Sequence, residues 1–135
     1  MSEWNNKIIE EFRANEGKVN SHFANTTLLL LHTTGAKSGK ERINPLATIE
    51  DNGRFIVIAS KGGAPTNPDW YYNLVANPEV EVEYGTETFK AEATVAEEPE
   101  RSQLYRKMAV VNSGFAEYEK KTERVIPVIV LSRLS

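Results

Sequence analysis

Apolar residues spaced three and four apart open the chain, with Trp4, Ile8, Ile9 and Phe12 on one stripe, the period of an amphipathic helix. Ser2 can cap that helix and Gly17 offers a left-handed stop. Glu3, Glu10, Glu11 and Glu16 outnumber Lys7 and Arg13, which disfavours an anchor on anionic lipid. The helix reads as a lid packed on the rest of the protein. The period then shortens. Thr26 to Thr34 is almost wholly apolar and short enough for a buried strand. A second strand is predicted from Arg42 to about Glu50, a turn at Asp51-Asn-Gly53, and a third strand from Arg54 to Ser60. Together these three predict a meander.

Asp69 to Ala76 reads as a short helix, opened by Pro68 and closed by Asn77-Pro78. Val80, Val82 and Tyr84 alternate with glutamates, and Phe89, Ala91, Ala93 and Val95 continue the alternation after Gly85, the mark of a half-exposed hairpin. Glu97 to Val111 predicts a helix, broken near Ser113-Gly114 before a shorter one carrying Phe115 and Tyr118. Val125 to Leu131 is apolar enough for a central strand, with Pro127 at a bend or unpaired position. Six strands with few helices suggest a small barrel, mostly β with helices (α+β).

With 135 residues, one domain is expected: residues 1–25 as amino-terminal helix and linker, residues 26–135 as the body. The net charge of −3 works against non-specific binding of nucleic acid or anionic membrane. Any anion site must be local. The chain has no cysteine, which removes disulfides and thiolate chemistry and suits a reducing compartment. With no long apolar leader or spanning run, the protein reads as cytoplasmic, with membrane contact at most peripheral.

Hydrolytic chemistry finds little support, since there is no Gly-x-Ser-x-Gly elbow and no evident carboxylate pair. His22 and His32 read as structural or surface residues, and their spacing suits no metal site. The loop Gly35-Ala-Lys-Ser-Gly-Lys40 superficially suggests a P-loop. Three residues rather than four separate its glycines, Glu41 stands where Ser or Thr should be, and a strand follows. It still gathers Lys37, Lys40, Arg42 and Ser38 in an acidic chain, which suits an anionic ligand. A second loop, Ala59-Ser-Lys-Gly-Gly63, has similar character, and Trp70, Tyr71 and Tyr72 could wall a planar heterocycle. The bland alternative is a solvated hairpin tip and a core aromatic run. Taken together, the loops and aromatics describe a phosphate-bearing redox cofactor.

Leu-His-Thr-Thr-Gly-Ala-Lys-Ser-Gly-Lys-Glu-Arg-Ile-Asn-Pro-Leu46, Ala-Ser-Lys-Gly-Gly63, Asn-Pro-Asp-Trp-Tyr-Tyr-Asn-Leu74, Ala-Asn-Pro78 and Thr-Glu-Arg-Val-Ile-Pro127 follow one another as in the deazaflavin-dependent nitroreductase and quinone reductase family, which the chain resembles from about Leu28 to Leu131. The resemblance implies a split β-barrel, related to FMN-binding barrels, that binds coenzyme F420. It implies that Lys37, Ser38, Arg42 and Lys40 hold the phospholactyl and polyglutamate tail. Asn44, Pro45, Leu46, Ala59, Ser60, Lys61 and Gly62 would line the deazaflavin, and Asp69, Trp70, Tyr71, Tyr72 and Asn73 would close its other side. Members pass a hydride from the reduced deazaflavin to quinones, and some reduce nitro compounds. The implied acceptor pocket holds Ala47 or Thr48, Asn112, Phe115 and Tyr118, less tyrosine-rich than in nitroimidazole-reducing members, with Ser60 and Tyr118 as the hydrogen-bond donors. An FMN-dependent reductase on the same barrel and a non-enzymatic F420 carrier are the alternatives. Related barrels often dimerise, whereas the Glu-rich hairpin Glu79 to Glu87 reads as solvated, so the pattern allows a dimer without requiring one.

Overall fold

The computed structural model describes residues 3–17 and 27–134, with side chains from Asn5 onward in the first segment. Ser2, His22, Thr26 and the Trp4 side chain therefore lie outside the described residues. The amino-terminal helix forms as α1 (Glu3–Ala14), and its Ile8, Ile9 and Phe12 are buried against Leu28 and Leu30 of β1 (Leu28–Thr34). The opposite face of β1 places Leu29 and Leu31 in the main core. A strand buried on both faces must be apolar at every position, which is why this run lacks alternation.

The second predicted strand is divided at Thr48 into β2 (Glu41–Ala47) and β3 (Ile49–Asp51). The strands β4 (Arg54–Ile58), β5 (Glu79–Tyr84), β6 (Glu87–Val95) and β7 (Val128–Arg133) complete a seven-stranded antiparallel sheet in the order β2-β1-β5-β6-β7-β4-β3. The expected meander forms through β1–β2 and, after the break at Thr48, through the β3–β4 hairpin at Asn52-Gly53; in addition, β4 pairs with β7 on its other side. The two edge strands, β2 and β3, are consecutive in the chain, so the sheet must curl until its edges meet at Thr48. This is a split β-barrel. The Thr48 amide donates to the Thr27 carbonyl at 2.9 Å and its Oγ1 donates to the Ile56 carbonyl at 2.9 Å, fixing the corner. Pro45 falls on edge strand β2, where a missing N–H is tolerated.

Helix α2 (Asp69–Ala76) crosses between β4 and β5, while α3 (Glu100–Val111) and α4 (Gly114–Lys120) cross between β6 and β7. Leu104, Tyr105 and Met108 of α3 and Phe115 of α4 pack on Ile56, Ile58, Val128 and Val130, a second core on the outer face of β4 and β7. The last strand begins at Val128, later than expected. Pro127 stands just before it, and its carbonyl accepts the Ala59 amide at 3.0 Å. Among the described residues no helix is long and apolar enough to cross a membrane.

Candidate cofactor groove and acceptor chamber

The β1–β2 loop is closed by its own polar groups. The Gly35 amide donates to the Lys40 carbonyl at 2.8 Å, the Gly39 amide to the Gly35 carbonyl at 3.0 Å, and the Lys40 amide to Ser38 Oγ at 3.2 Å. Gly39 takes φ +68°, which favours glycine, and a Cβ on Gly35 would displace Ser38 Oγ from the Lys40 amide. Asn73 ties this loop to α2. It is 8% exposed, its Oδ1 accepts the Ala36 amide at 3.0 Å, and its Nδ2 donates to Thr33 Oγ1 at 3.2 Å.

The loop forms one wall of an open cavity of about 960 Å³. Lys37, Ser38, Arg42 and Asn44 line it together with Asp69, Trp70, Tyr72 and Asn73 of α2 and with Lys61 and Pro68 from the segment before that helix. Asn5 of α1 also reaches it. A smaller chamber of about 250 Å³ adjoins, lined by Pro45, Leu46, Ala47, Ile58, Ser60, Gly62, Asn112, Phe115 and Tyr118. Lys61, Pro68 and Trp70 line both. The two spaces therefore form one groove with a basic, open half and a smaller half walled by apolar side chains.

Four of the expected positions do not line either cavity. Lys40 is exposed on the outer side of its loop. Ala59 is fully buried beneath the 3-10 turn Lys61–Gly63. Tyr71 packs half-buried against the main core, its ring edge-on to Tyr72 at 5.4 Å. Thr48 is 3% exposed and spent on the barrel corner, so of that pair only Ala47 lines the smaller chamber. His32 is buried and structural: its Nε2 lies 2.6 Å from Glu83 Oε2, which also takes a bond from Arg13 of α1 at 2.7 Å. The expectation of a solvated Glu79–Glu87 hairpin fails at Glu83, whose side chain is 15% exposed. The Arg13 hydrogen bond, followed by that of His32, holds the Glu83 carboxyl below the usual glutamate range against a desolvation penalty.

Two further residues belong to this region or its support without having stood out in the sequence. Asn5 carries no signal beyond being a polar position on α1. Arg124 lies inside the Thr-Glu-Arg-Val-Ile-Pro motif, and only the folded chain gives it a role. Its Nε donates to the Ala64 carbonyl at 2.8 Å, Nη1 to Asn67 Oδ1 at 2.7 Å, and Nη2 to the Ser60 carbonyl at 2.8 Å and the Ala59 carbonyl at 3.2 Å. On α4, Phe115 is fixed by Tyr105, whose hydroxyl donates to the Phe115 carbonyl at 2.6 Å and whose pKa burial pushes up to about 12. Tyr118 sits edge-on to Phe115 at 5.5 Å. No group of His, Cys, Asp or Glu among the described residues could hold a metal ion.

A family model described as F420H(2)-dependent quinone reductase matches residues 4–133. An F420H(2)-dependent quinone reductase of Mycobacterium tuberculosis is 40% identical over 108 residues, covering 78% of this chain and 72% of that protein. A solved F420-H2 dependent reductase superposes with a TM-score of 0.73 at 42% identity, covering 78% of this chain and 93% of that one. A chain solved as a domain-swapped dimer has a TM-score of 0.75 at 37% identity, covering 96% and 97%.

Proposed function

The chain belongs to the F420H(2)-dependent quinone reductase family, and we propose that it binds the cofactor in the larger cavity and a quinone in the smaller chamber. It is thus an oxidoreductase whose cofactor is coenzyme F420. The observation that carries the reading is the junction at Lys61, Pro68 and Trp70, where a basic groove opens directly into a chamber with apolar walls. The donor set fits the cofactor's chemistry. Lys37, Ser38 and Arg42 supply charge and hydrogen bonds for a phosphorylated, polyanionic tail, and the cavity volume lies within the range of cofactor sites. Asn44, Pro45 and Leu46 would flank the planar ring on one side and Trp70 on the other.

The reduced cofactor supplies the hydride; the protein's share is orientation, exclusion of water and stabilisation of charge arriving on the quinone oxygen. Ser60 and Tyr118 line the smaller chamber and would donate hydrogen bonds to that oxygen, with a proton from solvent completing the quinol. Cytoplasmic residence belongs to the same proposal and is supported by the cysteine-free sequence. So does a dimer, supported by the domain-swapped relative.

The tail-binding claim is tested with the double variant Lys37→Ala, Arg42→Ala. Charge-assisted contacts contribute about 1.5 to 3 kcal/mol each, and the exposure of both side chains brings the expected loss to roughly tenfold or somewhat more in F420 affinity. An unchanged fluorescence titration would remove the assignment.

A further inference from the structure

We infer that Arg124 is a positioning residue that sets the acceptor chamber against the cofactor groove, an inference that rests on the functional reading above. The loop from Ala59 to Asn67 carries Ser60, Lys61 and Gly62, which line the chamber, and Lys61 also lines the groove. A loop of this length between a strand and a helix has many accessible shapes, and hydride transfer tolerates little displacement. Arg124 removes that freedom. One planar guanidinium donates to three backbone carbonyls and one side-chain amide spread over the loop, from Ala59 to Asn67. The rigid fork of donors makes such a multidentate grip specific to arginine.

The segment that presents Arg124 is itself fixed. The buried Arg101 of α3 donates twice to the Ile126 carbonyl, at 3.0 and 2.8 Å, and the Pro127 carbonyl holds the Ala59 amide. Arg124 also lies four residues beyond the end of α4, the helix of Phe115 and Tyr118. That helix presses on the same loop at Gly63, where a Cβ would meet the Tyr118 carbonyl at 3.0 Å and Lys121 Cβ at 2.8 Å. Arg124 thereby couples the Ser60 wall to the Tyr118 wall without lining either cavity.

The test compares wild type with Arg124→Met and, should that variant fail to fold, Arg124→Lys, which keeps the charge but not the fork. In the cofactor-free protein, the Gly63 and Ala64 amides, bonded to the Ser60 and Lys61 carbonyls, should exchange at least tenfold faster, while β7 and α3 keep their protection. With F420H2 and menadione, kcat should fall at least tenfold while F420 affinity changes less than threefold. Unchanged exchange in the loop, or loss of cofactor affinity in step with kcat, would overturn the positioning role. Failure of wild type to bind F420 would instead overturn the functional reading, and the exchange comparison would still decide whether Arg124 orders the loop.

Discussion

Gly63 stands at φ +85° with a helix pressed against it, a position where both backbone conformation and space demand glycine. Gly63→Ala should cost about 1 to 3 kcal/mol in stability and displace α4 from the loop, lowering turnover; calorimetry alongside a quinone assay checks both. Tyr118 offers a cleaner separation of binding from chemistry. Tyr118→Phe keeps the ring contact with Phe115 and removes the hydroxyl, so turnover with menadione should fall by roughly tenfold, less than the loss for a fully preorganised oxyanion donor, with F420 affinity intact. Full activity would remove Tyr118 from the donor pair. Among single residues the sequence was most informative where chemistry and turn geometry coincide: Lys37, Ser38 and Arg42, grouped by their loop in the sequence, line one cavity. Arg124 was not legible, because three of its four partners are backbone carbonyls and all lie more than fifty residues away, and backbone acceptors leave no signature in side-chain identity.

The elements show the same division. Helix α2 runs from Asp69 to Ala76, as Pro68 and Asn77-Pro78 predict, since proline punctuates locally. The break at Thr48 depends on bonds to Thr27 and Ile56, and no local rule reports it. Helix α1 is held to the barrel by its apolar stripe and by Arg13, which grips Glu83 through two hydrogen bonds of 3.1 and 2.7 Å. Because this helix also reaches the groove through Asn5, its attachment bears on the site. Glu83 has a depressed pKa in the folded state, so the pair's stabilisation is fully present above the ordinary glutamate value of 4.5 and is lost as pH falls through the lowered one. Glu83→Gln should therefore destabilise by about 1 to 2 kcal/mol at neutral pH, given that Arg13 is half exposed. The gap between variant and wild type should close on acidification below pH 4.5, read by denaturant melts across that range. A gap that stayed constant into acid would assign the stabilisation to packing instead.

For the whole molecule, barrel closure assembles a site that no segment contains. The β1–β2 loop and the β4–α2 loop were expected to meet through a meander, and both line one cavity in a sheet that pairs β1 with β2 and β3 with β4. The class of fold was legible from six apolar runs and their turns, whereas the full strand order was not, since the β4–β7 pairing joins residues seventy or more positions apart and periodicity says nothing about partners. The proposed groove holds reduced F420 beside a quinone. Its most direct test is an anaerobic titration of the purified protein with F420 and, in parallel, FMN, followed by menadione added to the reduced complex. Preferential F420 binding and quinone-dependent reoxidation of the bound deazaflavin are expected; preference for FMN, or binding with no reoxidation, would overturn the proposed function.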